Sequence, residues 1–270
     1  MTPIIALLTD FTMHDWYIGV MKGVITNINP AANIIDLCHH ISSQDVREGS
    51  FILGSSYAFF PRGTIFVAVV DPGVGSDRKN LVAKTEDYSF VAPDNGILTS
   101  IFERAKVERV YQVVPGKYTL APRGSTFFGR DVFAPVAAHL SLGVPPGEIG
   151  SEVKSVLTVP ALRPYVNEEG EISGRAVYVD TFGNIITNIE ETYLASVFPG
   201  EVPRDDLVIR LAGQRIKGIR KYYEQGEYGK LVAIVNSWGY VEIAVNRGSA
   251  FQYLGLKEKK SLEIFIAAAV

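Results

Sequence analysis

Two carboxylates stand where strand-like runs stop. Leu8-Thr9-Asp10-Phe11 closes the apolar run Ile4 to Leu8, and Val70-Asp71-Pro72-Gly73-Val74-Gly75 closes the β-branched run Thr64 to Val70. When such strands pair in parallel, ligands bind beyond their carboxyl ends. Asp10 and Asp71 are therefore candidates to line a ligand site. A lone aspartate at such a place also serves simply to turn the chain; two at neighbouring ends point to a shared site. Arg78, in Ser76-Asp77-Arg78, is close enough in sequence to fold back on Asp71 as a fixed cation. It is expected to hold the Asp71 carboxyl below its ordinary value. Gly129-Arg130-Asp131 opens a helix, and Asp131 suits the positive end of the helix dipole. In the second half, Asp180-Thr181-Phe182-Gly183-Asn184 reads as a polar turn between strands. Glu242, in Tyr240-Val241-Glu242-Ile243, faces away from its apolar neighbours and is expected to be solvated unless another domain or subunit covers it.

The elements that must carry these residues alternate. Tyr17, Met21, Val24 and Ile28 recur at helical spacing after the first strand, and Asn29-Pro30 stops that helix. Ile34 to Leu37 returns as a strand. Ser42 or Ser43 is expected to cap the next helix, running toward Phe59 before Pro61. Strand, helix, strand, helix, strand implies parallel pairing with crossover helices. Leu81 to Ala83, Ser89 to Ala92 and Val107 to Val114 read as further strands, and Asn95 to Ala105 and Asp131 to Leu142 as helices. Pro160, Pro164 and Asn167-Glu168-Glu169-Gly170 read as a linker. After it, six short strands with sparse helical periodicity predict a small β-barrel or sandwich. The fold expectation is α/β: an N-terminal parallel-type sheet flanked by helices over 1–162, and a C-terminal small β-barrel over 170–270.

The bulk properties exclude several classes. The chain has 270 residues, 47% hydrophobic and 20% charged, which suits a folded protein of one large or two modest domains. A formal net charge of −3 lacks the basic footprint of a nucleic-acid binder. Cys38 is the single cysteine, which rules out an intramolecular disulfide and makes the cytoplasm the default location; its place in Ile34-Ile35-Asp36-Leu37-Cys38 reads as a buried, inert thiol. No basic segment leads an apolar run at the N-terminus, which argues against a signal peptide. No apolar stretch reaches the roughly 18 residues of a membrane span. There is no phosphate loop, no dinucleotide fingerprint and no nucleophile elbow. His39 and His40 are adjacent and on a strand face opposite ways, so no metal is expected.

In order along the chain, Leu8-Thr9-Asp10-Phe11, Tyr17-Ile18-Gly19-Val20-Met21-Lys22-Gly23, Val70-Asp71-Pro72-Gly73-Val74-Gly75, Pro93-Asp94-Asn95-Gly96, Phe128-Gly129-Arg130-Asp131-Val132-Phe133-Ala134-Pro135 and Phe182-Gly183-Asn184 resemble the S-adenosylmethionine hydroxide adenosyltransferase family. These are the adenosine-forming S-adenosylmethionine hydrolases, related to fluorinating and chlorinating enzymes. The resemblance implies attack of water on the ribose 5′ carbon of S-adenosylmethionine, giving adenosine and methionine with no cofactor. It also implies a homotrimer with substrate between one subunit's first domain and a neighbour's second. By resemblance, Asp10 holds the ribose hydroxyls, as a carboxylate can accept from a vicinal diol. Asn184 reads adenine or neighbouring polar atoms, Asp180 pairs with the methionine ammonium, and Phe182, Ser237, Glu242 and backbone near Val245 complete the pocket. Asp71 and Arg78 match two members of an Asp-Arg-His set that handles the water. A carboxylate at 71, where the halogenating relatives have tyrosine, repels halide and favours hydrolysis. The chain departs from the family pattern at one point: Thr126-Phe127-Phe128-Gly129-Arg130-Asp131 carries phenylalanine where histidine is usual. Phe128 can neither take a proton nor donate a hydrogen bond. The alternatives implied are a 5′-halogenating enzyme and a non-catalytic S-adenosylmethionine or adenosine binder.

Overall fold

A computed structural model of the chain describes every residue except 1, 122–123, 161, 201–202, 259–261 and 269–270. The chain divides into two compact units, Met1–Pro160 and Ala161–Val270.

The first unit runs β1 (Ile4–Thr9), α1 (Tyr17–Ile28), β2 (Asn33–Cys38), α2 (Val46–Ser56), β3 (Ile65–Val69), β4 (Asn80–Thr85), β5 (Ser89–Pro93) and α3 (Thr99–Arg104). It continues with β6 (Val107–Val113), α4 (Ala134–Ser141), α5 (Pro146–Ile149) and β7 (Gly150–Glu152). These strands form one sheet in the order β2-β1-β3-β5-β4-β6-β7. The first four in that order are parallel; β4, β6 and β7 pair antiparallel. Helices α1 and α2 carry the crossovers that make β2, β1 and β3 parallel, whereas β5 lies parallel to β3 because β4 turns the chain back between them. The short turn at 86–88 between β4 and β5 cannot carry a parallel crossover, so that pair is antiparallel.

Alternation along β1 and β3 sorts the core. Ile5, Leu7, Val67 and Val69 face α1 and α4, while Ala6, Leu8, Phe66 and Ala68 face the α2 and α3 side. Both faces are covered, which is why these strands are apolar throughout. Helix α1 buries Ile18, Met21 and Ile25. Its inner face is rotated from the expected Tyr17–Met21–Val24–Ile28 stripe; Tyr17 stays exposed, and Val24 and Ile28 pack at the margin. Neither Ser42 nor Ser43 caps α2: Asp45 does, its carboxylate accepting the Glu48 amide at 3.2 Å. The helix expected from Asp131 begins as a wide turn over Gly129–Phe133 before α4.

The second unit comprises β8 (Tyr165–Val166), β9 (Ile172–Val179), β10 (Ile185–Glu190), α6 (Glu191–Val197), β11 (Leu207–Leu211), β12 (Gln214–Lys217) and β13 (Ile219–Arg220). It ends with β14 (Leu231–Val235), β15 (Tyr240–Val245), α7 (Ala250–Tyr253) and β16 (Glu263–Ala268). The sheet order is β12-β11-β16-β9-β10-β15-β14-β13, with β8 added on β9. The two ends of this path, β12 and β13, are joined through Gly218 alone, so the sheet curls into a nearly closed barrel. Gly218 takes φ +78 there and donates its amide to the Leu207 carbonyl at 2.7 Å, the turn a side chain would strain. The interior holds Ile172, Ile209, Ile243 and Ile264, all fully buried.

Candidate active site

Connections from β1 leave in both directions: α1 leads to β2 on one side, and α2 returns over the opposite face to β3 on the other. That reversal opens a crevice beyond the carboxyl ends of β1 and β3. The two strands run in register, Thr9 opposite Val69, so Asp10 follows one strand end by one residue and Asp71 the other by two, close enough for the Asp10 charge to act on Asp71.

Asp71 is locked. Arg78 donates Nε to its Oδ1 at 2.7 Å and Nη2 to its Oδ2. The side chains of Asp71 and Arg78 are 4% and 8% exposed. Arg78 Nη1 donates to the Lys79 carbonyl at 3.1 Å and to Asn80 Oδ1 at 2.6 Å. The guanidinium lies over the rings of Phe128 and Phe133, 5.5 and 5.7 Å from their centres. Arg78 is thus a fixed cation, held by hydrogen bonds at its edge and by aromatic faces. Behind Asp71, Asn95 donates Nδ2 to the Val70 carbonyl at 2.8 Å, tying the strand end to the Pro93–Gly96 turn.

The expectation that Arg78 holds Asp71 low is corrected by its burial. Desolvation pushes the Asp71 carboxyl above its ordinary value, outweighing the Arg78 hydrogen bonds and charge; the nearby Asp10 charge pushes the same way. Asp10 is half-buried and accepts the Gln44 amide on Oδ2 at 2.8 Å.

An aromatic cluster brings Phe128 here. Phe127 packs against Phe11 and Tyr17 with centroids 6.1 and 5.1 Å apart. Gly129 lets this segment approach α1; a Cβ there would meet Met21 Sδ and the Phe127 ring at 3.0 Å. Asp131 is buried and takes both Nε and Nη2 of Arg130, at 2.7 and 2.8 Å. Asp10, Asp71, Arg78 and Phe128 therefore gather at one crevice.

In the second unit, Asp180 organises its own turn. Its Oδ1 accepts the amides of Phe182 and Asn184 at 3.0 and 2.8 Å, and its Oδ2 accepts Asn184 Nδ2 at 3.0 Å. Phe182 is 76% exposed at the tip of that turn. Glu242 is not solvated: it is 3% exposed, because Tyr223 Oη and Asn236 Nδ2 cover it, donating at 2.8 and 3.1 Å. Burial pushes the Glu242 carboxyl up, and the Asp180 charge adds to this; the Tyr223 hydroxyl is raised as well, by burial first and then by Glu242. Asp180, Asn184 and Glu242 thus share one region. Val245 turns its side chain into the barrel core, leaving its backbone, whose carbonyl accepts the Gly248 amide at 3.1 Å. Ser237 lies exposed on the β14–β15 turn, at the opposite end of β15 from Val245. Tyr223, Asn236, Gln44, Asn80 and Asn95 were not singled out in the sequence. Each acts through tertiary contact, and only Asn95, inside Pro93-Asp94-Asn95-Gly96, sits in a stretch that stands out. Among the described residues, no three of His, Cys, Asp and Glu are grouped to hold a metal ion, and no helix is long and apolar enough to cross a membrane.

Comparison with known proteins agrees across both units. Residues 5–150 match the SAM hydroxide adenosyltransferase N-terminal domain and residues 174–263 the corresponding C-terminal domain. The chain is 38% identical to an (R)-S-adenosyl-L-methionine hydrolase of Thermus thermophilus, covering 93% of this chain and 95% of that protein. It is 32% identical to one of Methanocaldococcus jannaschii, covering 97% and 95%. The solved structure of an uncharacterized conserved protein from Thermotoga maritima superposes with a TM-score of 0.89 at 39% identity, over 97% of this chain and 99% of that one. On these grounds the chain belongs to the SAM hydroxide adenosyltransferase family.

Proposed function

We propose that this protein hydrolyses S-adenosyl-L-methionine to adenosine and L-methionine, with water attacking the ribose 5′ carbon. The observation that carries the reading is the buried Asp71–Arg78 pair beside Asp10, at the sheet's topological switch point. The sulfonium needs no acid to leave. Water oxygen bonds to C5′ as the C5′–S bond breaks, its electron pair neutralises sulfur, and the water's proton passes to Asp71 or to solvent. Holding water in line can contribute about 7–11 kcal/mol. Beyond its two bonds to Arg78 and one to the Gly73 amide, the Asp71 carboxylate keeps a lone pair with which to orient that water, and its raised affinity for protons makes it a better base than an ordinary aspartate. Phe128 supplies no hydrogen bond, which leaves the water to Asp71 and Arg78 alone. A carboxylate at 71 also opposes a halide nucleophile.

In this reading Asp10 accepts from the ribose hydroxyls, Asp180 from the methionine ammonium, and Asn184 pairs with adenine. Phe182, Ser237, Glu242 and the backbone at Val245 complete the pocket. We place the substrate between the first domain (1–162) of one subunit and the second (170–270) of its neighbour in a homotrimer, with no nucleic acid, membrane or cofactor involved. A lone cysteine suits the cytoplasm. The substrate's sulfonium configuration is taken to be R, following the names of the relatives. The test is incubation with each sulfur epimer, with and without chloride, followed by chromatography. Adenosine from the R epimer is expected. A 5′-halo nucleoside would mark a halogenating enzyme instead, and tight binding without product would mark a sensor.

A further inference from the structure

Thr12 is a β-branched residue with φ +58, in the left-handed region that such residues rarely occupy. It lies two residues past Asp10, so something must hold the chain there. His39, 2% exposed at the end of β2, meets this segment on both sides of Asp10. Its Nδ1 lies 2.9 Å from Thr9 Oγ1, and its carbonyl accepts the Thr12 amide at 2.9 Å.

The direction of the side-chain bonds follows from chemistry. Lys22 Nζ donates to Asp36 Oδ2 at 2.7 Å, and His39 Nε2 lies 3.0 Å from Asp36 Oδ1. A carboxylate only accepts, so Nε2 carries the hydrogen and, in the neutral ring, Nδ1 accepts. The Thr9 hydroxyl then donates to Nδ1, leaving its oxygen to accept the Phe11 amide at 3.2 Å. Burial keeps the ring neutral by pushing His39 below its ordinary value; Asp36 draws it back up, and Lys22 and His40 push it further down. One ordered chain therefore runs from Lys22 through Asp36, His39 and Thr9 to the backbone on either side of Asp10.

We infer that His39 is a positioning residue for Asp10, holding residues 9–12 so that the Asp10 carboxylate is preset for a vicinal diol. The inference rests on the proposed role of Asp10 and predicts an effect confined to ligands that carry the diol. Wild type, Thr9→Val, Thr9→Ser and His39→Asn are titrated by calorimetry with adenosine and with 2′,3′-dideoxyadenosine, after circular dichroism confirms folding. Thr9→Val removes the hydroxyl at constant shape. It is expected to weaken adenosine about tenfold, the scale of one lost hydrogen bond, and to leave dideoxyadenosine unchanged. Thr9→Ser restores adenosine binding. His39→Asn, too short to span Thr9 and Asp36, repeats the Thr9→Val pattern and raises KM for S-adenosylmethionine with kcat retained. Equal loss of both nucleosides, or no loss of adenosine in either Thr9→Val or His39→Asn, would overturn the inference. Wild-type protein that binds the two nucleosides equally would instead remove the diol role of Asp10, and the inference with it.

Discussion

Phe128 rests its ring on the Arg78 guanidinium, at the position where the sequence resemblance implies a histidine. An imidazole there could both accept a proton and pass it on, so Phe128→His is predicted to raise kcat by about 10²-fold, the low side of general-base assistance. An unchanged rate would mean that the Asp71–Arg78 pair alone sets the barrier. Asp71→Asn keeps the shape but removes the charge facing the water, and kcat is predicted to fall by about 10²-fold or more. Glu242 offers a test by pH. Burial raises its folded pKa, so the folded chain binds the proton more tightly than the unfolded chain does. Its cost to stability is absent below the unfolded value of about 4.3 and grows as pH climbs through the raised one. Glu242→Gln should therefore gain on wild type in urea midpoint as pH is raised from about 4 to 8. A constant offset across that range would contradict the assignment. At this scale the sequence was informative about residue types and poor about environments. The seven-residue spacing of Asp71 and Arg78 suggested their pairing. The net upward shift of Asp71 was not legible, because it depends on water excluded by residues far along the chain. The cover over Glu242 comes from Tyr223, nineteen residues upstream, on a segment without a distinguishing pattern.

Helix α2 sends the chain back across the sheet toward β3, and Asp45 is its cap. Asp45→Ala is predicted to cost about 1 kcal/mol, read as a lowered urea midpoint with an unchanged m-value. Ser42→Ala should not reproduce that loss through the helix start, since the Ser42 hydroxyl does not cap it. Gly54, on the same helix, has Ser100 against it: an added Cβ would sit 2.4 Å from the Ser100 Cβ. Gly54→Ala should destabilise by about 1–3 kcal/mol through overpacking. Elements with strong periodicity or β-branched runs were legible, β1, β3 and α1 above all. Starts and faces were less so. Ser42, Ser43 and Asp45 are all good caps, and only the path of the loop past Asp10 selects among them. The inner face of α1 rotated because Tyr17 joins the Phe11–Phe127 aromatic cluster instead of the sheet. The start of α4 was blurred by the wide turn at Gly129–Phe133, which no local propensity signals.

For the whole molecule, alternation of strand and helix foretold an α/β unit followed by a β unit, because those two periodicities are local. The antiparallel insertion of β4 between β5 and β6 was not visible, as strand order depends on pairings between distant segments. The proposed homotrimer makes a prediction that no single subunit can meet. In the proposed site, Asp71→Asn is expected to disable the half supplied by the first domain and Asn184→Ala the half supplied by the second. Unfolding and refolding the two inactive variants together should restore about a quarter of wild-type activity, the share of sites that random mixing leaves intact; no recovery would place each site within one subunit. The central claim is that water forms the bond to C5′ of S-adenosylmethionine. Its most direct test is turnover in H₂¹⁸O with mass spectrometry of the nucleoside product. The account predicts adenosine carrying ¹⁸O in its 5′-hydroxyl, formed in equal amount with methionine. Unlabelled adenosine, or 5′-methylthioadenosine in its place, would contradict it.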